Sequence, residues 1–212
     1  GGGGGVAHAP LAVAEPHPPA APEGRRLAHR ALQLLPGGTG RIYIDDIRVG
    51  RVGSSDPGVG VAYYALENDV TDGSGNGHDG VANGDPVYVT GIRNQAMEFD
   101  GYDDYVRIAH NDSLNPGTGN FSISFWANVD PTPGTSGATN WDLAVAKRDV
   151  GARGYYVGAD RNQGTAAQTG YKLMLGNTTG TRVDTPWALV PMGEWVFIAA
   201  VVDREHHAVA ET

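Results

Sequence analysis

From Gly40 onward, apolar and polar residues alternate in short runs separated by turn-forming clusters. The run NFSISFWANV is the clearest. Phe121, Ile123, Phe125, Ala127 and Val129 fall on one face, and Ser122, Ser124, Trp126 and Asn128 on the other, which is the period of a strand. GRIYIDDIRVGR also alternates, with Ile42 and Ile44 before an Asp pair and Ile47 and Val49 after it. VGVAYYALE, PVYVT, QAMEF, YVRIA, WDLAVAK, GYYVGA and YKLML add further strands. EWVFIAAVVD is apolar on both faces, the pattern of a central strand covered on both sides. Ser54-Ser55-Asp56-Pro57-Gly58 and Asp100-Gly101-Tyr102-Asp103 read as turns. No helical period is evident after residue 40. Many short strands joined by turns predict an all-β, antiparallel two-sheet sandwich of the jelly-roll kind.

Residues 1–37 differ. They are rich in Gly, Ala, Pro and His, with Val6 and Val13 as the only β-branched residues and no aromatic. Such a segment buries too little surface to offset its ordering entropy, so 1–37 is expected to be a disordered, low-complexity stretch. Leu27, Ala31 and Leu35 are spaced for a short helical stripe ended by Pro36.

Composition narrows the function. The 212 residues suffice for one sizeable domain and include 32 Gly, 13 Pro and no Cys. Fifteen Lys and Arg against 24 Asp and Glu give a formal charge of −9. That balance repels polyphosphate, so no nucleic-acid partner is expected. No apolar run approaches the roughly 20 residues that cross a bilayer, so no membrane insertion is expected. The sequence reads as a fragment of a longer protein.

The stretch DGSGNGHDG, residues 72–80, fits two ligand patterns. Its G-x-G-x-x-G would cradle a dinucleotide only if a helix opened at the glycines. Asn83-Gly84 and Pro86 follow instead, so that reading fails. Its Asp-x-Ser-x-Asn-Gly resembles the first half of a calcium loop, but position 12 is Asn83 and the flanks are strand-like, so it is not an EF-hand. Asp72, Ser74 and Asn76 remain candidate oxygen ligands for a hard cation. The alternative is that they form side-chain-to-backbone turns while the glycines supply positive φ.

VAYYALENDVTDGSGNGHDGVANG, GIRNQAMEFDGYDDYVRIAHNDSLN, NFSISFWANV and GEWVFIAAVVD, in that order, closely resemble the concanavalin A-like, laminin-G-like jelly-roll domains, over residues 58–212. The resemblance implies two stacked antiparallel sheets, a binding role toward carbohydrate or protein, and in many members a structural calcium. Such domains occur in secreted bacterial multidomain proteins, which implies an extracellular or cell-surface setting. Members normally end in a strand of the type G-x-I-D-E-V-R-I-Y. The sequence reaches Thr212 before any such strand, yet residues 40–51 match it. Residues 38–57 are therefore expected to be the last strand of a preceding β domain plus a linker, with 58–212 a truncated laminin-G-like domain. The bolder alternative is that this strand fills the vacant edge of the 58–212 sheet. In relatives the Asp of the closing strand can lie near the calcium, a position Asp45 takes if the strand pairs here.

Some proteins of this fold hydrolyse glucans with carboxylates in the pattern E-x-D-x-x-E, one to attack and one to protonate. None of the seven Glu residues begins it. Neither H-E-x-x-H nor G-x-S-x-G occurs, so no catalytic residue is assigned. Sugars stack apolar C–H faces on aromatic rings, which makes Trp126, Trp141, Tyr156 and Trp187 candidate ligand platforms. Trp195, in an apolar run, is assigned to the core. The leading expectation is a non-catalytic carbohydrate-binding or adhesion module; a structural or protein-binding spacer and a remnant glycoside hydrolase are the alternatives.

Overall fold

The computed structural model describes residues 32–34, 40–51, 60–132, 141–148, 153–161, 168–176 and 181–204. The described strands are β1 (Leu32–Leu34), β2 (Ile42–Arg51), β3 (Ala62–Tyr64), β4 (Gly80–Asn83), β5 (Val87–Thr90), β6 (Gln95–Phe99), β7 (Tyr105–Ile108), β8 (Phe121–Val129), β9 (Trp141–Arg148), β10 (Gly154–Asp160), β11 (Gln168–Gly176), β12 (Arg182–Asp184), β13 (Ala188–Pro191) and β14 (Val196–Val202). One turn of 3-10 helix, Asp112–Leu114, interrupts them.

All pairings among the described strands are antiparallel. One sheet runs β12-β11-β10-β9-β1-β7-β4, with β13 also on β11. The other runs β14-β8-β2-β6-β5, with β3 on β2. Residues of both sheets merge into one core. Phe121 meets Tyr155 at 5.2 Å between ring centroids, and Phe125 meets Tyr171 edge-on at 6.3 Å. This is the expected antiparallel sandwich. Strand β8 alternates buried and half-buried residues along its whole length, as its sequence predicts.

The N-terminal region departs from expectation. Leu32–Leu34 form β1, between β7 and β9, while Leu27, Ala31 and Leu35 of the expected helical stripe lie outside the described residues. Residues 1–31 and 35–37 lie outside the described residues. Strand β2 is hydrogen-bonded on one side to β8 and on the other to β6 and β3. It therefore occupies an inner position of this sandwich, not an edge. Its apolar residues change parity across Asp45-Asp46, and a bulge there restores the inward face. Asp46 takes the left-handed conformation this requires, at φ 54. Ile42, Ile44, Ile47 and Val49 consequently all reach the core.

A second departure concerns β14. The apolar run predicts a central strand, yet among the described residues β14 pairs only with β8. Phe197 and Val201 point outward, 54% and 59% exposed. Trp195 precedes the strand and is half-buried, not core.

Candidate functional site

Alternation in β8 sends Trp126 to the outer face of its sheet. In register it lies between Asp45 of β2 and Phe197 of β14. The Trp126 and Phe197 rings are 5.3 Å apart and tilted by 55°. One pair along, Ser124 lies between Arg48 and Ala199. The Arg48 guanidinium covers the Tyr63 ring at 4.5 Å and bonds Asp46 at 3.2 Å. In the other direction Tyr43 stands between Asn128 and Glu98, and Arg41 pairs with Glu98 at 3.0 Å. The Asn128 amide oxygen is buried, with no donor among the described residues. The face thus combines a half-open aromatic pair with hydroxyl, amide and guanidinium groups. That is the chemistry a neutral sugar needs, with rings for its C–H faces and polar groups for its hydroxyls.

The four predicted aromatics do not converge. Trp126 lies on this face. Trp187 belongs to the β12–β13 connection of the opposite sheet, half-buried, with the Lys172 ammonium 4.4 Å from its ring. Trp141 opens β9, but its side chain lies outside the described residues. Tyr155 joins the main core, and Tyr156, next to it in the strand, points away from it. It then enters a second apolar cluster with Leu143, Ala146 and Met174. At 4% exposure, with Arg148 over its ring, it offers no open platform. Phe197 was missed because its strand reads as buried on both faces.

The 72–80 loop is closed on itself. Asp72 Oδ1 accepts the Tyr63 and Ser74 amides, and Oδ2 accepts the Ser74 hydroxyl and the His78 amide. Burial raises the Asp72 pKa, but these four hydrogen bonds outweigh it and hold the value below the ordinary one. Asn76 turns its amide donors, not its oxygen, toward the Gly60 and Val61 carbonyls. Gly75 and Gly77 take φ of 82° and 73°. The loop leads into strand β4, not a helix. The proposed cation ligands Asp72, Ser74 and Asn76 are therefore turn-formers. The same lone pairs that would face a metal hold β3 and His78 in place. The His78 ring meets the Ser113 hydroxyl at 2.7 Å, tying the loop to the 3-10 turn.

Asp45 is separate from that loop and behaves differently. Its Oδ2 accepts the Ile92 and Arg93 amides at 3.0 and 3.1 Å, while Oδ1 is buried without a donor. Burial, above the lowering effect of those two amides, raises its pKa, and the charges of Asp46 and Glu67 raise it further. Glu67 receives the Gln95 amide at 3.0 Å and the Asn94 side chain at 3.2 Å. The Gln95 side-chain oxygen is also buried without a donor. Two left-handed residues, Leu66 at φ 58 and Asn94 at φ 47, shape this corner. Asp45 Oδ1 and Gln95 Oε1 are thus buried acceptors with no donor among the described residues, the kind of oxygen a hard cation takes, whereas both oxygens of the neighbouring Glu67 are already occupied. A second acidic group, Asp85, Asp100 and Asp103, has carboxylate oxygens within 4.8 Å of one another but is exposed. Beneath it the buried Asp104 caps the Asp85 and Asp100 amides.

At one end of the sandwich, Phe121, Tyr155 and Leu175 floor a cavity of about 260 Å³ that Lys147 and Arg204 also line. Burial pushes the Lys147 ammonium down to about 8.

Comparison with known proteins gives one match. The family model described as the concanavalin A-like lectin/glucanases superfamily, of laminin G type, matches residues 100–210, a little over half of the chain. No curated protein and no solved structure matches it.

Proposed function

The chain belongs to the concanavalin A-like lectin/glucanase superfamily, and from that premise we propose that it is a non-catalytic carbohydrate-binding or adhesion module of a secreted or cell-surface multidomain protein. The observation that carries this reading is the outer face of the sheet around Trp126. Trp126 and Phe197 form an aromatic step at 5.3 Å, flanked by Ser124, Asn128 and Arg48. A sugar ring stacks on the step and directs its hydroxyls to the flanking groups. The absence of the E-x-D-x-x-E pattern supports a binding role over hydrolysis.

Calcium braces this site. Asp45 is the direct neighbour of Trp126 in register, and its orphaned oxygen and that of Gln95, beside Glu67, hold the ion. The ion supplies positive charge to a buried carboxylate that two amides only half satisfy. This fastens β2 to the β5–β6 turn behind the aromatic step.

A glycan array with the wild-type protein, Trp126→Ala and Phe197→Ala tests the sugar site. Binding by the wild type that both variants lose supports it; binding that survives both substitutions places the sugar elsewhere. No binding to any glycan favours the second reading, a protein-binding spacer. The exposed apolar residues Phe197 and Val201 on the edge strand β14 favour that reading.

A further inference from the structure

We propose that the cavity at the end of the sandwich beside Lys147 is a binding site for a small organic monocarboxylate, separate from the aromatic step on the outer face. It measures about 260 Å³, small beside the roughly 300–1,000 Å³ of drug-sized ligand pockets, and so suits a single ring with its acid group.

Two features of the lining select that chemistry. The first is charge. The chain as a whole has 15 Lys and Arg against 24 Asp and Glu, yet both charged side chains among the described lining residues, Lys147 and Arg204, are cations. In register Lys147 stands opposite Tyr155, and Tyr155 opposite Leu175. Cross-strand partners share a face, so Lys147 belongs to the inward side of its sheet, where it is 2% exposed. The His110 ring meets its Nζ at 3.1 Å, with Asp112 on the other ring nitrogen at 3.3 Å. Burial depresses the ammonium to about 8, and a carboxylate beside it restores the charge that burial opposes. Arg204, just past β14, is held by its backbone amide to Asn120 and by one guanidinium nitrogen to the Gly117 carbonyl. A guanidinium has five donors, so this contact positions the fork and leaves donors for a carboxylate.

The second feature is the floor. Phe121 and Tyr155 pack at 5.2 Å, and the Tyr155 hydroxyl donates to the Leu114 carbonyl at 3.0 Å, so it is spent inside the fold. An apolar floor beneath two cations fits one negative charge on a C–H-rich body. Phosphate, a hydrated dianion, would leave that floor uncovered. An acidic sugar ring and a free aromatic acid share the required chemistry.

The test is titration calorimetry on the full chain with glucuronate against glucose, benzoate against benzyl alcohol, and inorganic phosphate. At least one carboxylate should bind about tenfold or more tightly than its neutral partner. Glucuronate as the tighter acid makes the source an acidic glycan, and benzoate makes it a free organic acid. Lys147→Met should abolish the difference while its melting temperature at neutral pH rises, which separates a lost ligand contact from a lost fold. Arg204→Gln should weaken the carboxylate about threefold, as a partly exposed charge. Trp126→Ala should leave it unchanged, so failure of the outer-face sugar site and failure of this pocket are told apart. Equal binding of acid and neutral partner, binding that survives Lys147→Met or disappears in Trp126→Ala, or phosphate bound as tightly as either acid would overturn the proposal.

Discussion

Strands β2 and β14 are both rich in aliphatic residues, and each lies directly beside β8, on opposite sides of it. Their fates differ. β2 is paired on both flanks and its four aliphatic residues are sealed in the core, whereas among the described residues β14 is paired on one flank and holds Phe197 and Val201 exposed. Hydrophobicity alone does not rank the two. What separates them is where the backbone amides and carbonyls find partners, and that depends on strands distant in sequence. The same comparison divides labour. The inner strand sets stability and the edge strand offers surface for recognition.

The largest test of this difference is a buried charge against an exposed one. Ile44→Asp should unfold the domain or cost more than about 4 kcal/mol, since it places an unpaired carboxylate in the core. Val201→Asp should change stability by no more than about 0.5 kcal/mol, as an exposed substitution. Urea denaturation followed by tryptophan fluorescence measures both. Equal costs would mean that β2 is not an inner strand.

The next effect is smaller and specific to Asp45. Asp45→Ala should cost about 1–3 kcal/mol by stripping the Ile92 and Arg93 amides of their acceptor. Calcium should raise the melting temperature of the wild type but not of this variant, whereas Asp72→Ala should keep the calcium response while losing stability. Differential scanning calorimetry with and without the ion separates the two carboxylates.

Much of the fold was legible because alternation reports the inward face directly. Strand β8 shows this at every position, and the turn at residues 100–103 falls where Asp and Gly place it. Pairing was not legible. The parity change from Ile42 and Ile44 to Ile47 and Val49 did carry a signal, since only a bulge can keep all four inward. The site was less legible still. Asp-x-Ser-x-Asn is written identically whether its oxygens face a cation or their own backbone, and only the direction of four hydrogen bonds decides. The setting of Asp45 depends on a turn nearly fifty residues away in sequence, whose Ile92 and Arg93 amides its Oδ2 accepts. Parity separates Tyr155 from Tyr156 onto opposite faces but could not show that Leu143, Ala146 and Met174 share the Tyr156 side.

Acid gives a graded test of the loop that supports β3 against β2. Asp72 has a lowered pKa in the folded state, so its stabilisation is present above the unfolded value of about 3.8 and lost as pH falls through the lower folded value. Unfolding free energies of the wild type should drop in that acid range, and Asp72→Asn should show a shallower drop. The smallest expected effect is at the far end of the sandwich. Lys147 titrates near 8 when folded and near 10.5 when unfolded, so folded stability should rise as pH climbs through that interval. Lys147→Met should remove this rise and shift the melting temperature at neutral pH upward by about 2–4 °C for each kcal/mol relieved.

The most direct measurement is amide hydrogen exchange, read by mass spectrometry on peptides covering residues 42–51, 121–129 and 196–202. If β2 is an inner strand, its amides exchange only through global unfolding, as slowly as those of β8, while β14 exchanges markedly faster on its unpaired side. Exchange of 42–51 as fast as 196–202, with 121–129 still protected, would contradict the account.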